Sequence, residues 1–161
     1  METSTRNKWL TFAVVAIALF MSMLDNLVVT TALPSIRRAL GANASDLPWT
    51  VDAYTLAFTI IMLPATALGD KWGRKRFFLI GVALFTLGSV FSALAGDAGM
   101  LSISRAVQGI GAGFLTPLTL TLLTRAFPVS QRAAAIGLWS GVSGLGLAAG
   151  PLVGGAIVEG L

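Results

Sequence analysis

Long apolar segments alternate with short polar connections along this chain. Five of the segments are close to, or longer than, the roughly 20 residues that an α-helix needs to cross about 30 Å of hydrocarbon. Transmembrane helices are predicted at about residues 9–33, 49–68, 77–95, 100–124 and 132–158. The connections are too short to hold a soluble domain, so the pattern predicts an all-α membrane protein that acts within the lipid bilayer.

The composition and the start of the chain agree with this prediction. Of the 161 residues, 55% are hydrophobic and 11% are charged, and the mean hydropathy of +0.83 is far above that of a soluble domain. The first segment follows Arg6 and Lys8, as a signal peptide would. However, it is too long, continues into Asp25 and Asn26 and lacks a small-x-small cleavage site, so we interpret it as a retained span.

Basic residues cluster at alternate ends of the predicted spans. The connection between helices two and three contains Asp70, Lys71, Arg74, Lys75 and Arg76, and the connection between helices four and five contains Arg125 and Arg132, whereas the intervening hairpin carries only the charge of Asp97. Because lysine and arginine are enriched on the cytoplasmic side, we expect a multi-pass plasma-membrane protein with a cytoplasmic amino terminus. Arg37 and Arg38, on the predicted outer side, run against this pattern. Since topology explains the net charge of +4, no nucleic-acid partner is expected.

The residue types exclude several kinds of chemistry. The chain has no cysteine and no histidine, which excludes disulfides, thiol catalysis and imidazole catalysis or metal ligation. We also expect no cofactor, no metal site and no enzymatic activity.

Asp25 is the first candidate functional residue, because it lies well inside the first predicted helix. A carboxylate there costs on the order of 2.5–3.5 kcal/mol on insertion scales, so it should face protein or water. Ser22, Asn26 and Thr30 flank it at helical spacing. Partial burial would let Asp25 bind and release a proton near neutral pH, whereas the alternative is a neutral or ion-paired acid that only orients helix one. Asp52, one turn into helix two, fits a surface position as well as a cavity.

Arg105 is the second candidate, near the start of helix four. Gln108, Ala112, Thr116 and Thr119 follow it on one face of the predicted helix. Because a guanidinium keeps its proton, Arg105 must find water, a carbonyl or a carboxylate. Two interpretations stay open: it pairs with Asp25, which opposes proton carriage by that acid, or it snorkels to the interface.

Glycines form two groups at helical spacing. Helix four contains Gly109, Gly111 and Gly113 before Pro117, and helix five contains Gly137, Gly141 and Gly144 before the ladder Gly146, Gly150 and Gly154. Small residues four apart let two helix backbones approach closely in a membrane, so helix five is predicted to contain a packing seam. Pro151 lacks the N–H that would bind the Leu147 carbonyl, which predicts a bend or hinge there.

Four of these motifs resemble those of the major facilitator superfamily. Residues 68–76 (LGDKWGRKR) resemble the signature between its helices two and three, and residues 105–113 (RAVQGIGAG) resemble its helix-four motif. Residues 146–155 (GLAAGPLVGG) meet its helix-five antiporter motif at every fixed position, and residues 24–34 resemble the helix-one motif of the fourteen-helix drug:proton antiporter branch. The motifs occur in the family's order and cover nearly the whole chain.

The resemblance implies a role for each motif residue. Asp25 would be protonated or contact a cationic drug, and Arg105 and Gln108 would be coupled to proton transfer. Asp70, Gly73 and Arg74 would belong to a cytoplasmic conformational latch, although the same charges also set topology. Gly150 and Pro151 would shape the helix-five hinge that limits leak, within an antiporter motif that also includes Gly146, Gly154 and Gly155.

The chain also departs from the family's motifs at three positions. Thr66 replaces the first glycine of the loop motif, which weakens the case for closest helix approach at that position. Leu27 and Thr30 replace the threonine and asparagine that usually follow the helix-one aspartate, which leaves substrate preference open.

The family architecture has two six-helix halves, each made of three-plus-three inverted repeats. Five predicted helices would form an incomplete half, so we expect an amino-terminal fragment, truncated before helix six, that requires the missing carboxy-terminal half for transport. The expected function is proton-coupled export of a small lipophilic or cationic drug, with the lipid bilayer, protons and that substrate as partners. Two alternatives stay open: a metabolite or sugar antiporter of the same fold, and a non-transporting membrane protein that binds a partner through its glycine faces.

Overall fold

A computed structural model describes residues 2–43 and 45–159. These residues form five long helices, α1 (Glu2–Leu40), α2 (Asp46–Trp72), α3 (Arg74–Ala93), α4 (Ala98–Ala126) and α5 (Arg132–Glu159), with a 3₁₀ turn at Val129–Gln131 before α5. Each helix contains a segment long and apolar enough to cross a membrane, and no strand occurs in the described residues. The predicted fold class, an all-α membrane protein with five transmembrane helices, is confirmed.

The first helix is much longer than predicted. We expected it to end at Leu33, before Pro34, but α1 continues through Pro34 to Leu40. The apolar run marks only the part of a helix that lies in hydrocarbon, and beyond it Arg37 and Arg38 favour water without breaking the helix. Gly41, with φ of +58°, then ends α1, because glycine adopts the left-handed conformation without a steric cost.

The polar connection between α2 and α3 is shorter than predicted. Asp70 and Lys71 lie in the last turn of α2, and α3 begins at Arg74, so only Gly73 separates the two helices. Gly73 has φ of +105°, and its N–H donates to the Gly69 carbonyl at 2.9 Å. Since side chains other than glycine are strained there, Gly73 allows the chain to reverse direction within a single residue.

Helix α4 forms the centre of the bundle, and glycines bring its neighbours close. A Cβ added at Gly109 would collide with the Tyr54 carbonyl of α2, and one added at Gly111 would lie 2.5 Å from the Phe85 nitrogen of α3. Leu115 of α4 is almost completely buried between the same helices. The glycines therefore permit the contacts that set the depth and rotation of α2 and α3 against α4.

We expect Gly109→Ala to destabilise the bundle by about 1–3 kcal/mol, because the added methyl group meets backbone that cannot rotate away. Thermal unfolding of the purified protein in detergent measures this loss. Gly137→Ala is the matched control, since nothing lies within 4 Å of a Cβ there, and it should leave the unfolding temperature unchanged or slightly higher. Equal unfolding temperatures for the two variants would show that α2 and α4 do not meet at Gly109.

Helices α1 and α5 meet along a second glycine seam. Added Cβ atoms at Gly146, Gly150 and Gly154 would touch the side chains of Met23, Leu27 and Thr31, respectively. Both sets are spaced by four residues and increase together along the chain, so the two helices run parallel. By contrast, Gly137, Gly141, Gly144 and Gly155 have nothing within 4 Å of an added Cβ. The α5 seam thus involves only part of the glycine-rich sequence.

Candidate functional site

Asp25 of α1 and Arg105 of α4 form an ion pair in the interior of the bundle. The Nη1 atom of Arg105 donates a hydrogen bond to Oδ2 of Asp25. The Arg105 side chain is 1% exposed and that of Asp25 is 20% exposed. The interpretation that Arg105 snorkels to the interface is therefore wrong, because its guanidinium is buried against a carboxylate from another helix.

Gln108 connects the two charged groups. It follows Arg105 by three residues, so both side chains lie on the same face of α4. Its Nε2 donates to Oδ1 of Asp25 at 3.0 Å, and its Oε1 accepts from Nη1 of Arg105 at 3.0 Å. Each residue of this triad is hydrogen-bonded to the other two, and each carboxylate oxygen of Asp25 accepts a bond from α4.

Ser92 of helix α3 is hydrogen-bonded to the triad through Gln108. The Ser92 hydroxyl donates to Oε1 of Gln108 at 3.1 Å, so two donors occupy that oxygen and leave Nε2 directed at Asp25. Gly88 lies beside the same glutamine, where an added Cβ would be 2.6 Å from its Cγ. Ser92 was not predicted from the sequence, where its only signal is a small polar residue four positions after a glycine within an apolar span.

Helix α2 contributes the aromatic ring of Tyr54. The guanidinium carbon of Arg105 lies 4.2 Å from the centre of this ring, within the range of a favourable cation–π interaction. The close approach at Gly109, one turn beyond Arg105, places the α2 backbone where Tyr54 can cover the cation. Tyr54 was also missed, although it is the chain's only tyrosine and lies within a predicted span.

This arrangement gives Arg105 more than one compensating group. Removing one partner of a buried ion pair typically costs about 3–5 kcal/mol, because the other charge stays buried without compensation. If Asp25 becomes neutral, however, Arg105 keeps the Gln108 amide oxygen and the Tyr54 ring. Its Nε atom has no hydrogen-bond partner within residues 2–43 and 45–159. The guanidinium therefore contacts two groups besides Asp25.

A cavity of about 290 Å³ lies next to the triad, between α1, α2, α4 and α5. Aromatic, aliphatic and uncharged polar side chains line it: Ser22, Met23, Asn26, Leu27, Tyr54, Thr55, Phe58, Thr116 and Leu147. No charged residue of the described part of the chain belongs to this lining. Ser22 and Asn26, two of the residues predicted to flank Asp25, border the cavity, whereas Thr30 is exposed and bonds to the Asn26 carbonyl.

The latch candidates Asp70 and Arg74 form a surface ion pair across the α2–α3 reversal. Arg74 Nε donates to Oδ1 of Asp70, and the aspartate side chain is 54% exposed. The close helix approach near this motif occurs at Gly69, where an added Cβ would lie 2.7 Å from Leu118 of α4.

The remaining candidates lie away from the triad. Asp52 is exposed on α2, as its surface interpretation predicts. Pro151 is exposed within α5, which stays helical on both sides of it. Among the described residues, no group of three metal-ligating side chains comes together.

The family model of the Major Facilitator Superfamily matches residues 15–161. The chain belongs to this superfamily, a family of membrane transporters rather than enzymes, and it is a multi-pass membrane protein.

Several curated relatives match nearly all of the chain. It is 39% identical over 155 residues (96% of this chain) to the multidrug resistance protein Stp of Mycobacterium tuberculosis. It is 37% identical over 151 residues (94%) to the tetracenomycin C resistance and export protein of Streptomyces glaucescens, and 36% identical over 154 residues (96%) to the riboflavin transporter RibZ of Clostridioides difficile. The chain spans 29%, 28% and 34%, respectively, of the lengths of these proteins.

Proposed function

We propose that the transporter in which this chain occurs exports small lipophilic or cationic drugs in exchange for protons. The observation that carries this proposal is the triad of Asp25, Arg105 and Gln108 beside a cavity. An acid inside a membrane bundle is costly and is retained where it handles protons or ions. One relative is named a multidrug resistance protein and another a tetracenomycin C resistance and export protein, and these names support the export of drugs.

In the proposed mechanism, a proton and the guanidinium of Arg105 compete for the carboxylate of Asp25. When Asp25 is ionised, it binds Arg105 and Gln108 and ties α1 to α4. When Asp25 accepts a proton, its attraction for the guanidinium falls, and Arg105 relies on Gln108 and Tyr54 instead. Because the two charge states hold α1 and α4 differently, proton binding would bias the conformational equilibrium on which alternating access depends.

The driving force is sufficient for export against a gradient. When the drug is uncharged, the exchange moves one elementary charge, which releases roughly 2.3 kcal/mol across a potential of 100 mV. When the drug is a monovalent cation, the exchange moves no net charge, so the pH gradient alone drives it. In this exchange the proton moves inward, down its gradient, while the drug moves outward.

A direct test uses everted membrane vesicles that contain the complete transporter and an imposed pH gradient. Adding a transported drug should release protons from the acidic lumen, which a pH-sensitive dye reports. Vesicles without the transporter are the control. Drug movement with no accompanying proton movement would contradict the proposed coupling, and movement of neither would contradict transport.

The role of the latch is a second part of the proposal. We expect Asp70→Asn to slow transport severalfold while leaving the unfolding temperature almost unchanged, because an exposed ion pair contributes about 0–1 kcal/mol. Transport rate and thermal unfolding are measured on the same preparations. Normal transport by this variant would show that Asp70 and Arg74 only set the membrane topology and do not act as a latch.

A metabolite antiporter is the second candidate function. The relative named a riboflavin transporter is almost as similar to this chain as the drug resistance proteins. A metabolite antiporter should move one narrow class of polar compound and ignore unrelated dyes, whereas a multidrug exporter should accept several unrelated lipophilic compounds.

A further inference from the structure

We propose that the cavity beside the triad binds uncharged, flat aromatic compounds that carry carbonyl or hydroxyl groups, and that it discriminates against organic cations. This inference rests on the proposed function and narrows its substrate class. The site is the cavity of about 290 Å³ between α1, α2, α4 and α5.

The charged groups near the cavity disfavour an organic cation. A buried site favours an organic cation most when a carboxylate is free to face the ligand. The nearest acid, Asp25, is already bound by Arg105 and Gln108. The Tyr54 ring already holds the guanidinium of Arg105. An organic cation would therefore find no free carboxylate among the described residues that line the cavity, and it would lie close to a buried arginine that keeps its charge.

The aromatic side chains that line the cavity favour a flat ligand. Tyr54 and Phe58 lie one turn apart on α2, with ring planes 6° apart and ring centres separated by 6.3 Å. Leu147 of α5 and Leu27 of α1 supply aliphatic surface to the same cavity. Parallel ring planes favour a flat aromatic ligand, which stacks against aromatic side chains with a gain beyond the burial of its area.

Polar groups in the cavity lining favour a ligand that can form hydrogen bonds. The Thr116 hydroxyl of α4 has no hydrogen-bond partner among the residues that the structure describes. Thr116 also belongs to the lining of the cavity, so no bond within the described residues competes with a ligand for its hydroxyl. Asn26 and Thr55 add polar groups to the lining. A ligand carbonyl or hydroxyl would satisfy the otherwise costly Thr116 group.

Two probes of similar shape test this inference on the purified complete transporter in lipid nanodiscs. One is an uncharged dihydroxyanthraquinone, and the other is the permanent cation N-methylacridinium. We expect the uncharged probe to bind about tenfold more tightly in equilibrium dialysis. Equal binding, or tighter binding of the cation, would overturn the inference.

Variants with matched controls locate the binding. Thr116→Val should weaken dihydroxyanthraquinone binding about fivefold without lowering the unfolding temperature, because the hydroxyl has no protein partner. Phe58→Leu should weaken it about threefold to tenfold. The controls Thr59→Val and Phe91→Leu alter residues whose side chains are exposed and outside the cavity, and should leave binding unchanged. Unaltered binding in both cavity variants would place the ligand elsewhere.

The charge moved in each cycle separates this inference from the proposed function. Exchange of one proton for an uncharged substrate moves net charge, so a potassium diffusion potential alone should drive substrate-dependent proton movement into proteoliposomes. Exchange of one proton for a monovalent cation is electrically neutral and should not respond. Proton movement coupled only to N-methylacridinium would uphold antiport and overturn this inference. Dihydroxyanthraquinone binding with no proton movement for any substrate would uphold the site and overturn antiport.

Discussion

Arg105→Leu is expected to abolish proton-coupled export and to destabilise the bundle by about 3–5 kcal/mol. The substitution removes the cation to which Asp25 and Gln108 are both hydrogen-bonded, and it leaves a carboxylate largely enclosed by protein. It also removes the contact between the guanidinium and the Tyr54 ring on α2. Drug efflux in vesicles and thermal unfolding in detergent measure the two effects.

A double variant separates stability from coupling at Arg105. Arg105→Leu combined with Asp25→Asn carries neither buried charge, so it should recover most of the lost stability while proton coupling stays absent. Arg105→Lys should keep part of the stability but restore little transport, because an ammonium cannot reproduce the planar guanidinium between Asp25 and Tyr54. Normal coupling in Arg105→Leu would show that this arginine serves only packing.

Asp25→Asn is expected to eliminate proton-coupled export while preserving membrane insertion. Asparagine has nearly the same shape as aspartate but cannot exchange a proton, so the transporter should no longer respond to an imposed pH gradient. Arg105 keeps the Gln108 oxygen and the Tyr54 ring, so we expect a stability loss of about 1–3 kcal/mol, smaller than that of Arg105→Leu. Efflux is measured with and without a pH gradient.

Asp52→Asn is the matched control for this loss. It makes the same chemical change on an exposed residue of α2, so efflux should continue at the normal rate. If Asp25→Asn exports drugs as fast as the unaltered transporter, Asp25 has no part in the mechanism. If both variants lose efflux, the defect follows from removing an acidic charge in general and not from the triad.

The membrane-spanning fold could be predicted from the sequence because hydrocarbon imposes a simple rule. Each span must satisfy its own backbone and present apolar side chains, so an uninterrupted apolar run of sufficient length identifies a helix. The ends are harder to predict, since a helix can continue into water, as α1 does past Pro34 to Leu40. The charged turn between α2 and α3 was predicted as a loop, but Gly73 alone makes the reversal.

The charged members of the site were predictable for a different reason. Asp25 and Arg105 are costly within spans, so their presence alone marked them. Whether they pair depends on how α1 rotates against α4, and apolar periodicity does not determine that rotation. Tyr54 and Ser92 were missed because neither residue type is unusual in a membrane helix. Their importance arises only from the helix contacts that bring them to Arg105 and Gln108.

Proton exchange on substrate binding tests the role of Asp25 most directly. The purified complete transporter is placed in weakly buffered solution with a pH indicator, and a saturating drug is added. If substrate binding favours the state in which Asp25 pairs with Arg105, the protein should release a proton, and Asp25→Asn should release none. Equal proton release from the unaltered transporter and from Asp25→Asn would contradict the mechanism, because the exchanged proton would then belong to another group.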